Sequence, residues 1–132
     1  IVVFALAITA ALVARHFAGA SDDAKKRSLE SHLKMIRAQL ELYKVHHGAY
    51  PPRQNQTLKD QLCSYTDAHH AASPTRNEQT GVVFGPYLFT FPGNPFNGAA
   101  DVTQTPAAPD KGWFYDPATG QFRTNDTLHD DL

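Results

Sequence analysis

One thiol, seven imidazoles and a scatter of carboxylates are the groups in this 132-residue chain with the reactivity for catalysis or metal binding. Cys63 lies shortly before His69 and His70, the residue types from which a thiolate nucleophile and its base are built. Nothing in the sequence supplies a third group to orient them. The adjacent pairs His46-His47 and His69-His70 do not line one face of a regular helix. Asp116, Asp126 and Asp130 carry the hard oxygens that calcium takes, although carboxylates in surface loops are usually just solvated. Asn55-Gln56-Thr57 and Asn125-Asp126-Thr127 fit the acceptor pattern for glycosylation at Asn55 and Asn125. No phosphate-cradling glycine loop, nucleophile elbow or zinc-hydrolase histidine pattern is present. These residues point away from an enzyme and toward a structural chain without a cofactor.

Apolar types make up 42% of the chain and charged types 19%, which suits neither disorder nor a coiled coil. The formal net charge of -1 hides an uneven distribution: residues 1–47 carry seven Lys or Arg against four Asp or Glu, and residues 48–132 carry five against nine. The basic triplet Lys25-Lys26-Arg27 follows Asp22-Asp23 after a single alanine and reads as a solvated helix face, not as the stripe that nucleic acid requires. A single cysteine excludes an intrachain disulfide and a thiolate metal cluster.

What must position these groups is dominated by the N-terminal third. Residues 1–14, IVVFALAITAALVA, hold one polar side chain, Thr9. Fourteen apolar residues fall short of the roughly twenty that cross a bilayer, and the run starts at the first position as though more lay upstream. Ala10, Ala14 and Ala18 recur every four residues, with Ala7 and Ala11 as a second pair. Small residues at that spacing let helix backbones approach closely, so Val3, Ala7, Ala10, Ala11, Ala14 and Ala18 form the expected packing set. Residues 24–47 hold no Pro or Gly, and Leu29, Leu33, Ile36, Leu40 and Tyr43 make one apolar face. Met35, Ala38, Leu42 and Val45 form a second stripe, serving a deeper core or a contact with another subunit. Ser21, Asp22 and Asp23 suit a helix cap, which predicts a bend or break near Gly19. Gly48 and Pro51-Pro52 end the helix. As one rod, residues 1–47 would run roughly 70 Å, far more than a head of about 85 residues needs. Such surplus apolar surface calls for lipid or identical neighbours.

Beyond the helix, residues 57–67 predict a short helix capped by Thr57 with Asp60, and residues 68–80 a polar loop. Residues 82–91 supply aromatic anchors interrupted by Gly85-Pro86. GWFYD at 112–116 and QFRTN at 121–125 flank a short turn and predict a hairpin. Its Trp113, Tyr115 and Phe122 are expected to pack on the amphipathic helix. The fold class is therefore α+β, a long N-terminal α-helix against a small antiparallel β-sheet head. Its parts are a hydrophobic segment at 1–23, an amphipathic half at 24–47 and the head at 48–132.

Three stretches carry a family likeness: ALAITAALVARHFAGASDDAKKR; LKMIRAQLELYKVHHGAYPP, with Tyr43, Gly48 and Tyr50-Pro51; and GPYLFTFPGNPFNG followed by GWFYDPATGQF. Together they resemble the type IV pilin-like superfamily, most closely the major pseudopilins of type II secretion systems. The resemblance implies a structural subunit of an open, helical homo-oligomeric filament. It also implies a precursor cut and methylated by a prepilin peptidase, a stay in the inner membrane with the head outside the cytoplasm, and assembly machinery as partner. A surface pilus subunit and a membrane-anchored binding module are the alternative outcomes. The family's leader junction and its nearby acidic residue have no counterpart here, and Ala14-Arg15 stands where many relatives have a kinking proline. The calcium loop of many major pseudopilins is not matched.

Overall fold

The computed structural model describes residues 2–53, 56–108, 110–129 and 131–132, with side chains described from Ser21 onward. Helix α1 runs from Val2 to His47 without interruption, 46 residues in all. The bend expected near Gly19 is absent, and the backbone stays helical through Gly19 and Ser21 to Asp23. One interior glycine costs only about 1 kcal/mol relative to alanine, a penalty a long helix absorbs. The C-terminus stops where predicted: Gly48 takes φ +76° and its N–H reaches the Lys44 carbonyl at 2.8 Å. Lys44, His46 and His47 occupy the last turn.

Helix α2, Leu58–Cys63, is short and closed by a full capping box. The Asp60 N–H donates to Thr57 Oγ1 at 3.0 Å, and Asp60 Oδ2 accepts from the Thr57 N–H at 3.0 Å and hydroxyl at 2.7 Å. Leu58 and Leu62 go into the core. A two-stranded antiparallel ribbon follows, its β1 (Tyr65–Thr66) inside the stretch expected to be helical and its β2 (Ala72–Ser73) inside the expected loop. The Asp67 carboxylate folds the connection by accepting from the His69 and Ala71 N–H groups, both at 2.9 Å. Gly85-Pro86 is a cis peptide, and beyond it the Tyr87 and Leu88 N–H groups both donate to the Leu62 carbonyl that α2 leaves open.

The hairpin pairs β4 (Trp113–Asp116) with β5 (Gln121–Thr124), Trp113 opposite Thr124 and Asp116 opposite Gln121. A further strand, β3 (Val102–Thr103), pairs with β4 in parallel. The wholly antiparallel sheet expected from the sequence is thus corrected to a mixed one, in order β3-β4-β5. Residues 104–112 separate β3 from β4, enough chain to return to the strand's starting end, which a tight turn cannot do. Buried Asn94 secures that return by donating from Nδ2 to the Gly112 carbonyl at 3.0 Å.

The core lies between α1 and this sheet. Leu29, Leu33, Ile36, Leu40 and Tyr43 meet Trp113, Tyr115 and Phe122, with Leu58, Leu62 and Phe91 closing the sides. The polar ends of the large aromatics are satisfied: Trp113 Nε1 donates to the Pro92 carbonyl at 2.9 Å and Tyr115 to the Pro51 carbonyl at 3.0 Å. Arg37 ties the helix to the sheet through the Phe122 carbonyl at 3.0 Å and the Leu132 carbonyl at 2.8 Å.

The inner-membrane location implied by the resemblance is overturned. Among the described residues no helix is long and apolar enough to cross a membrane. Arg15, Asp22, Asp23 and the basic triplet interrupt the apolar character of the described part of α1.

Candidate functional site

The head covers only one side of the second half of α1. Leu29, Leu33, Ile36, Leu40 and Tyr43 are each no more than 1% exposed, whereas Met35, Leu42 and Val45 are 39%, 42% and 78% exposed. Ala38 is exposed as well. At 3.6 residues per turn this second stripe falls on the side of α1 turned away from the head, so it does not deepen the core.

Because α1 does not break at Gly19, the stripe has one continuous register. Stepping back from Val45 by alternating threes and fours gives Leu42, Ala38, Met35, Ser31, Ser28, Ala24 and Ser21, then Phe17, Ala14, Ala10, Ala7 and Val3. None of these positions holds a charged residue. A strict seven-residue repeat of this kind keeps one seam facing a neighbouring helix. From Ser21 to Val45 all but the half-buried Ser28 are exposed. The seam takes in Val3, Ala7, Ala10 and Ala14 of the expected packing set, while Ala11 and Ala18 stand one position beside it. The side chains of those six lie outside the described residues.

Charged residues flank the seam and are partly spent on the head. Besides Arg37, Glu41 accepts the Tyr50 hydroxyl proton at 2.5 Å, and the Lys44 ammonium sits 4.4 Å from the centre of the Tyr50 ring. Ser21 through Arg27 are all exposed, so about two turns of solvated helix separate the core from the apolar run. The sequence reading missed Ser21, Ala24, Ser28 and Ser31 as seam positions. Three are hydroxyl residues that an apolar count passes over, and the signal that finds them is absence of charge at fixed period.

The residues with chemical potential are scattered. The Cys63 thiol is pushed up, chiefly by burial, which works against a thiolate. His70 Nδ1 is paired with the Tyr43 hydroxyl at 2.9 Å, and His69 is exposed. Asp116 accepts from the Ala118 N–H at 2.9 Å and the Thr119 hydroxyl at 2.8 Å, folding the hairpin turn. Asp126 accepts from the Leu128 N–H at 3.0 Å and the His129 N–H at 2.8 Å. Asp130 lies outside the described residues, among which no group of three or more His, Cys, Asp or Glu could hold a metal. A cavity of about 320 Å³ beside the C-terminal loop is lined by Phe96, Asn125 and His129 among others. Asn125 is 1% exposed and its Nδ2 donates to the Ala108 carbonyl at 2.8 Å, so the folded chain does not present that nitrogen for glycosylation. Asn55 lies outside the described residues. A polar cluster of Tyr43, His46, His47, Thr66, His70 and Tyr87 gathers at the C-terminal end of α1.

No protein-family model, curated protein or solved structure matches this chain.

Proposed function

We propose that the chain is a structural subunit of a helical filament of the type IV pilin-like kind, most similar to a type II secretion major pseudopilin. The reading rests on the resemblance together with one observation: an uncharged heptad repeat runs along the sequence of α1, and from Ser21 to Val45 it lies on the side away from the head and is almost wholly exposed. Small residues dominate the seam, which suits close helix approach, and copies of the same helix are the partners of matching length and period. Apolar burial drives the association at roughly 25 cal/mol per Å² before ordering costs. Head-to-tail contacts build an open helix where their rotation does not close into a ring. The reading assigns the chain no catalytic centre and no cofactor.

Electron microscopy of the purified native chain tests the reading, beside Ala10→Leu, Ala14→Leu and Leu42→Glu. Circular dichroism checks that each head still folds. Filaments from the native chain, and few or none from the variants, are the expected result. Native material that stays monomeric, or variants that polymerise normally, overturns it. Long fibres on cells assign the filament to a surface pilus, and short ones found with a secretin to secretion.

A further inference from the structure

The C-terminal end of α1 carries an arrangement that neither the seam nor the core requires. His47 is stacked on Tyr43 with ring centres 4.0 Å apart, and lies against Phe84 at 4.9 Å and His70 at 5.1 Å. Its Nε2 is 3.0 Å from the Thr66 hydroxyl and 3.3 Å from the Tyr87 hydroxyl. The Tyr87 hydroxyl also reaches His46 Nδ1 at 2.9 Å. One imidazole thus joins the helix end to β1 and to the loop after Phe84. Its other nitrogen, Nδ1, is buried and has no hydrogen-bond partner among the described residues.

A neutral imidazole tolerates that arrangement, because one nitrogen carries no proton and a lone pair without a donor is a modest loss. An imidazolium does not, since both nitrogens are then donors and the Nδ1–H would point a share of the positive charge at nothing. The ionisable groups around the ring give little relief. From α1 they are Tyr43 and His46, from the β1–β2 connection His70 and Asp67, and from the following loop Tyr87. Among the described residues Asp67 is the one carboxylate acting on His47, and its Oδ1 already accepts two backbone N–H groups of its own turn.

We propose that His47 is the pin of an acid-sensitive clasp, which holds β1 and the Phe84–Tyr87 loop on the end of α1 while the imidazole is neutral and releases them when it takes a proton. This inference stands independently of the filament reading. Burial, helped by His70 and His46, pulls the His47 pKa from 6.5 down to about 4, with Asp67 opposing. A group held low in this way favours the clasped state fully above about pH 6.5 and loses that contribution as the pH falls toward 4. Release would be local, because β4 and β5 also hold α1 through Leu29, Leu33, Ile36 and Leu40, which lie outside this cluster.

Hydrogen exchange of the full chain at pH 7 and pH 5, corrected for intrinsic rates, tests the proposal. The amides of Thr66, Phe84 and Tyr87, which bond to the Phe84, Thr66 and Leu62 carbonyls, are expected to open about tenfold more at pH 5. Those of β4 and β5 should not change. His47→Gln should remove most of the pH dependence, leaving the part that belongs to His70, whose pKa burial also lowers, and His69→Gln, an exposed neighbour, should leave it in place. A change spread evenly over the chain, no change in the clasp amides, or a dependence undiminished by His47→Gln overturns the clasp. Should His47→Gln not fold, an NMR titration of the seven histidines in the native chain decides the matter. A His47 midpoint well below the others supports the proposal, and one at or above 6.5 refutes it.

Discussion

The backbone of Gly120 lies directly against the ring of Tyr50, so closely that a Cβ on Gly120 would overlap the ring carbons. Gly120 also sits at φ +75°, a conformation that other L-residues adopt only with strain. The turn of the β4–β5 hairpin is thereby seated on the segment that leaves α1. Gly120→Ala is expected to lower unfolding free energy by about 1–3 kcal/mol in urea titration. Paired with Tyr50→Ala, which removes the ring, the steric part should vanish while the backbone part persists. A double-mutant cycle with no coupling would show that the contact carries no energy.

The two faces of α1 should respond oppositely to truncation. Ile36→Ala empties part of the core and is expected to cost about 2–5 kcal/mol. Leu42→Ser touches a side chain the head leaves open and should stay within about 0.5 kcal/mol of the native chain. Sedimentation or microscopy should place its main effect on assembly. A large loss of monomer stability from Leu42→Ser would mean that the head covers this face after all.

The α2 cap gives a prediction with a defined sign in pH. The Thr57 hydroxyl and then the Thr57 backbone N–H, both hydrogen-bonded to the Asp60 carboxylate, hold its pKa below the usual value of 3.8. The ionised form is therefore the stabilising one. Its contribution is complete above the ordinary carboxylate range and fades as acid protonates the group. Asp60→Asn should remove that acid-dependent part, and Thr57→Ala should cost about 1 kcal/mol at neutral pH. Denaturation midpoints at pH 7 and pH 3 for both variants check the two statements.

Asn94 supports the return from β3 to β4 with both ends of its amide. Nδ2 donates to the Gly112 carbonyl at 3.0 Å and Oδ1 accepts from the Phe96 N–H at 2.9 Å, in a residue only 1% exposed. Asn94→Ala strands both partners and should cost about 1–3 kcal/mol. Loss of the β3 amide protection, with β4 and β5 intact, is the accompanying sign in hydrogen exchange.

How much of this is visible in the sequence differs by element, for physical reasons. The face from Leu29 to Tyr43 and the hairpin around Trp113 and Phe122 follow from periodicity, because burial on one side imposes a repeat. Thr57 and Asp60 announce α2 because a capping box is local chemistry. Strand β3 has no such mark, since two residues fixed by a distant partner leave no period to detect. The bend near Gly19 is a wrong expectation from a sound signal, as Ser21 and Asp22 suit a cap but nothing forces the helix to start again there. That error also hid the seam, whose halves align only across an unbroken α1. The His47 cluster draws on residues from 43 to 87, and a linear reading has no means to bring them together.

The two sides of one rod differ. Among the described residues Leu29, Leu33, Ile36, Leu40 and Tyr43 are the apolar grip by which α1 holds its head, and none of them belongs to the seam. A different body can therefore be mounted on the same shaft by supplying a socket for five side chains, with the exposed seam left untouched.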